Sequence, residues 1–154
     1  FDKYRIDKFL QFKLKEFSRT RLQTLIREGQ VKLNNNSIIL SGGPMEIARG
    51  FVLHTNDHIL PESKVIGNDF ALTCSIDLIK EIALGKGPFR FLITLGYSGW
   101  YSGQLETELK QNSWLTIPAN PDIIFNTEVE KIWSKALGIL GVNPNQITDQ
   151  YGSA

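Results

Sequence analysis

The chain has 154 residues, 42% of them apolar and 21% charged, enough to bury the core of one domain or of a small domain with an appendage. No apolar run reaches the roughly 18–20 residues that span a bilayer, and the charged opening residues lack the apolar stretch of a secretory signal. A single cysteine, Cys74, excludes an internal disulfide and suits a reducing compartment, so no membrane association and a cytoplasmic location are expected.

The balance of 17 Lys/Arg against 16 Asp/Glu hides two halves of opposite sign. Residues 1–37 carry nine Lys/Arg and four Asp/Glu, whereas residues 38–154 carry eight Lys/Arg and twelve Asp/Glu. A positive arm on an acidic body points to a polyanion as one candidate partner. The change falls near Asn34-Asn35-Asn36-Ser37.

In chain order, the arm reads as two short helices. Ile6, Phe9 and Leu10 form an apolar stripe on the first. Ser18 is placed to cap the second, which carries Leu22, Leu25 and Ile26 on one face and ends at Gly29. Gln30-Val31-Lys32-Leu33 alternates like a half-buried strand, and Asn34-Asn35 suits a tight turn. Further strands are expected at 50–54, 69–73 and 89–95. A helix capped by Ser75 should run through Ile76, Ile79, Ile82 and Ala83 to Gly85, and another should cover residues 104–112. The last helix repeats Val129, Ile132, Trp133, Ala136, Leu137 and Leu140 at helical spacing. Thr127 and Glu130 form a capping-box pattern at its start, and Gly141 closes it. The expected class is α/β or α+β, a mixed sheet packed with helices and preceded by a small two-helix basic segment.

Arg5-Ile6-Asp7-Lys8-Phe9-Leu10 and Ser18-Arg19-Thr20-Arg21-Leu22-Gln23, continuing through Leu25-Ile26-Arg27-Glu28-Gly29-Gln30-Val31-Lys32-Leu33-Asn34, resemble the opening of the alpha-L RNA-binding motif. The resemblance covers about the first 37 residues. It implies structured RNA as a partner, held by Arg19, Arg21, Arg27 and Lys32 with Gln23 and Asn34 as polar contacts. Arg suits phosphate through its planar donor fork. The motif is truncated, because Ile38-Ile39-Leu40-Ser41-Gly42 departs from the family's second strand.

Residues 40–154 resemble a different family. Leu40-Ser41-Gly42-Gly43-Pro44, Gly50-Phe51-Val52-Leu53-His54-Thr55, Leu95-Gly96-Tyr97-Ser98-Gly99-Trp100, Gly103-Gln104-Leu105-Glu106, and Asn112-Ser113-Trp114-Leu115 are similar to the AlgH/YqgE-like proteins. That resemblance implies a compact α/β protein without catalytic activity, a regulator of transcription acting by binding, and an N-terminal portion of the family absent from this chain. The domains expected are a truncated alpha-L-like segment at 1–37 and an AlgH/YqgE-like domain at 38–154. Missing strands would leave an exposed sheet edge open to protein partners or self-association.

Several groups invite chemistry. Gly96-Tyr97-Ser98-Gly99-Trp100 follows an expected strand, but Trp100 stands where a nucleophile elbow needs its second glycine. The exposed amides of Gly96, Tyr97, Ser98, Gly99, Trp100 and Gly103 offer a candidate anion or ligand loop. Tyr97, Trp100, Tyr101 and Trp114 could flank a ligand there, which leaves a small hydrolase or nucleotide-using enzyme as a third reading. His54, Asp57 and His58 lie close together, yet no third histidine or second cysteine completes a zinc set. No metal or cofactor is expected. Cys74 reads as an inert thiol, and Gly42-Gly43-Pro44 as a turn.

Overall fold

From Ala48 to Thr55 every second residue is buried, and this alternation marks the central strand, β3, at Met45–Thr55. The computed structural model describes residues 37–143 and, before them, Ser18, Thr20, Arg21, Thr24, Leu25, Glu28, Gln30, Lys32 and Leu33. The chain divides into two compact units, residues 1–100 and 101–154.

In the first unit, β1 (Lys32–Leu33), β2 (Ser37–Ser41), β3, β4 (Lys64–Ile66), β5 (Phe70–Thr73) and β6 (Phe91–Tyr97) form a mixed sheet in the order β1-β2-β6-β3-β5-β4. β3 pairs antiparallel with β5 and with β6, while β2 lies parallel to β6. Helix α1 (Ile76–Ala83) links β5 to β6, two parallel strands that flank β3. Ser75 caps this helix by accepting from the Asp77 amide at 3.3 Å, as expected from sequence. Leu78, Ile79 and Ile82 of α1 pack with Ile39, Val52, Ile93 and Leu95 of the sheet, and this is the core. Leu40, Phe51, Leu53, Leu72 and Leu92 are only half-buried.

Two glycine segments cross at the start of β3. Gly96 has φ +73°, and a Cβ there would lie 2.4 Å from the Gly43 carbonyl oxygen. A Cβ on Gly42 would lie 2.4 Å from the Gly96 oxygen, and one on Gly43 would meet the Tyr97 backbone. Gly42-Gly43-Pro44, expected as a turn, is an irregular connection from β2 to β3 with a bend at Pro44, and a close backbone crossing that side chains would block.

β1 and β2 form an antiparallel pair, Lys32 opposite Ile38 and Leu33 opposite Ser37. The charge seam thus falls within a pair of neighbouring strands, and Ile38–Ser41, which departs from the alpha-L pattern, is part of β2. Thr20, Arg21, Thr24 and Leu25 are helical, and the Arg21 amide donates to the Ser18 hydroxyl at 3.2 Å. The first expected helix and the Asn34-Asn35 turn lie outside the described residues. β4, the edge strand after β5, leaves Lys64, Val65 and Ile66 exposed.

The second unit contains α2 (Gln104–Lys110), α3 (Pro121–Asn126) and α4 (Val129–Ile139). α2 stops two residues short of the expected end, and Asn112 turns to φ +56°. α3 was not anticipated; Asn120 caps it by accepting from the Asp122 and Ile123 amides. The capping box expected at Thr127 and Glu130 does not form. Glu128 is the N-cap of α4 without a side-chain bond, and the hydroxyl of Thr127, the C-cap of α3, instead donates back to the Asp122 carbonyl in the first turn of that helix. Gly141, at φ +69°, follows the end of α4 as expected.

Candidate functional site

The loop candidates read from sequence divide between the two units. Gly96 and Tyr97 end β6, Ser98 to Trp100 continue the first unit, and Gly103 caps α2 in the second. Tyr97 packs edge-on against Phe51, with ring centroids 5.6 Å apart. Tyr101 is exposed, and α2 spans only seven residues. Gly96 serves the backbone crossing, which accounts for a glycine there without any ligand.

His54 is wholly buried, with both ring nitrogens engaged by the protein. Nδ1 lies 2.7 Å from the Thr55 carbonyl oxygen and Nε2 lies 2.8 Å from the Thr73 hydroxyl. His58 Nε2 meets Glu81 at 2.6 Å, and Asp57 accepts from the Thr55 hydroxyl and from the Phe89 amide. These three residues therefore tie β3 and the loop after it to β5, to α1 and to the segment before β6. Among the described residues no cluster of three or more metal-ligating side chains occurs. Burial pushes the half-buried Cys74 thiol up from its ordinary pKa, against the opposing pull of the nearby Arg49, and so favours the protonated form.

Of the basic candidates, Arg21 is exposed on its helical turn, and Lys32 contributes backbone to β1. Arg19, Gln23, Arg27 and Asn34 lie outside the described residues.

A surface not singled out from sequence lies in the second unit. Asn112, Ser113, Trp114, Leu115 and Ile117, on the segment after α2, line a groove of about 810 Å³ together with Trp133, Ala136 and Leu137 of α4 and with Leu140 and Val142 after it. Only Leu137 is buried; Trp114, Leu115, Trp133 and Leu140 are each 40–59% exposed. Trp114 is held by its indole N–H, which donates to Glu108 Oε2 at 2.7 Å, while Gln104 donates to Glu108 Oε1 at 2.8 Å. The α4 stripe was legible as an apolar helix face, and its half-open state distinguishes it from a core face. The described residues 101–143 also carry five acids, Glu106, Glu108, Asp122, Glu128 and Glu130, against three lysines.

A mixed sheet packed with α1, followed by a helical unit with an open apolar groove, defines an α/β protein. A family model described as AlgH-like matches residues 6–145, and the chain belongs to that family. The match begins at residue 6 rather than residue 38, so it includes most of the segment that resembles an alpha-L motif. A UPF0301 protein from Pseudoalteromonas translucida is 46% identical over 116 residues, covering 75% of this chain and 63% of that protein. A UPF0301 protein from Rhizobium meliloti is 38% identical over 134 residues, covering 87% of this chain and 63% of its own length. The solution structure of the AlgH protein from Pseudomonas aeruginosa superposes with a TM-score of 0.63 at 43% identity, covering 78% of this chain and 63% of that one. Across eight such curated relatives the chain spans 57 to 65% of their length. Among the described residues no helix is long and apolar enough to cross a membrane.

Proposed function

We propose that this chain is a regulator that works by binding rather than by turnover, seating an amphipathic segment of a protein partner in the groove of its second unit. The observation that carries this reading is the half-exposed lining of Trp114, Leu115, Trp133 and Leu140. Large aromatic and aliphatic groups left in water at a concave surface gain free energy when a partner covers them, and tryptophan dominates such contacts. The excess of five acids over three lysines in residues 101–143, with Glu108 bonded to Trp114, favours a segment with basic flanks, and helix-in-groove docking is the mode that such a shape supports.

A second reading keeps RNA as the partner of Arg19, Arg21, Gln23, Arg27, Lys32 and Asn34. It is supported by Arg21, exposed on a turn that Ser18 caps.

The test compares protein capture by the full chain, by a Leu115→Ser plus Trp133→Ser variant, and by Phe89→Ser, which removes an aromatic side chain exposed on the first unit. The expected result is a partner retained by the full chain and by Phe89→Ser but lost from the groove variant, whose unfolding transition persists. Loss of no protein from the groove variant, together with structured-RNA binding that fails after Arg21→Ala and at raised salt, would favour the RNA reading instead.

A further inference from the structure

The two ends of the hydrogen-bond chain through His54 fix every proton in it. The Thr55 carbonyl can only accept, so His54 Nδ1 carries the hydrogen across their 2.7 Å contact. Neutral Nε2 must then accept from the Thr73 hydroxyl at 2.8 Å. Thr73 in turn accepts from the Ser63 hydroxyl at 2.6 Å, and Ser63 accepts from the Leu60 amide, which can only donate, at 2.9 Å. His54 and Thr73 are fully buried, whereas Ser63 is half-buried and reaches the surface. This chain leads from solvent into the core through two hydroxyls.

We infer that Ser63, Thr73 and His54 form a proton relay that lets a fully buried imidazole charge and discharge within the folded protein, making the sheet unit responsive to pH. A proton arriving at Ser63 Oγ displaces the Ser63 proton to Thr73, and the Thr73 proton passes to His54 Nε2. One proton enters at the surface and one N–H bond forms at the imidazole. Afterwards Nε2–H donates to Thr73, Thr73 donates to Ser63, and the Ser63 hydroxyl points outward. The hydrogen bonds along the chain reverse direction and none is lost. The charge itself is resisted: burial lowers the pKa of His54 from its ordinary 6.5, His58 adds to that lowering, and the Thr55 carbonyl and Asp57 oppose it. Glu81 of α1 holds His58. Since the folded pKa lies below the unfolded one, the stability contributed by neutral His54 is complete above pH 6.5 and declines as pH falls through the folded value.

Imidazole ¹⁵N NMR of the full chain, titrated downward from pH 8, tests the relay. The expected His54 signal is the neutral Nδ1–H tautomer, which takes up a proton below pH 6.5 while the backbone spectrum stays folded. Ser63→Ala leaves the neutral Thr73–His54 bond intact but removes the acceptor that Thr73 needs once His54 is charged. Its midpoint should therefore fall by about half a pH unit or more, and Ser63→Thr should restore it. An Nε2–H tautomer in the unaltered chain, a His54 that stays neutral until the chain unfolds, or a midpoint unmoved by Ser63→Ala overturns the inference. The tautomer is read without any variant, so it decides even if Ser63→Ala fails to fold.

Discussion

Gly96→Ala lowers the stability of the chain by at least about 3 kcal/mol, while Gly67→Ala costs about 1 kcal/mol. Both glycines sit in the left-handed region, at φ +73° and +60°, so both substitutions carry the conformational penalty of an L side chain. They differ in space. The added Cβ at position 96 would lie 2.4 Å from the Gly43 carbonyl oxygen and 2.9 Å from that of Met45, and both obstacles are backbone. At position 67 nothing lies within 4 Å. The difference between the variants thus isolates the cost of spreading β6 from the start of β3. Chemical denaturation of the pair measures it. Equal losses would mean that the crossing yields easily.

Leu78→Ala is expected to cost 2–5 kcal/mol, whereas Leu84→Ala stays within about 0.5 kcal/mol. Leu78 is fully buried in the layer between α1 and the sheet, alongside Val52 and Ile93, and truncation leaves a cavity that the paired strands cannot collapse into. Leu84 follows α1 and is 71% exposed, so it loses little contact. Denaturant midpoints of the two variants provide the measurement. A Leu78→Ala loss below about 1 kcal/mol would show that α1 packs loosely on the sheet.

Much of the first unit was legible in the sequence, because α1, β3 and β5 follow largely from their own residues. Ser75 before Ile76 announced a cap, and the apolar run Phe51-Val52-Leu53 after Gly50 reads as a strand, which the structure shows as part of β3. β4 was not legible: Lys64, Val65 and Ile66 are too few to show a period, and they pair only because β5 supplies a partner. α3 carries its own signal in Asn120-Pro121-Asp122, a cap followed by proline at the first helical position. Thr127 gave a false signal because the same hydroxyl can close one helix or open the next.

Sites were harder to read than elements. His54 lies next to Asp57 and His58 in sequence, which suggested a metal, but its decisive partner is Thr73, brought opposite Val52 by the pairing of β3 with β5. Sequence spacing cannot show such a contact. The groove illustrates a second limit. Helical periodicity identifies an apolar face on α4, but the extent of cover over that face is a property of the segment from Asn112 to Ile117, which has no periodicity of its own.

The measurement closest to the proposed role is photocrosslinking in cells from a reactive residue introduced at Leu115, with Lys86 as an exposed control on the other unit. The expected result is a discrete protein adduct from position 115 that disappears when Trp133→Ser is added, with none from position 86. Adducts from position 86 but none from position 115 would contradict a role for the groove in partner binding.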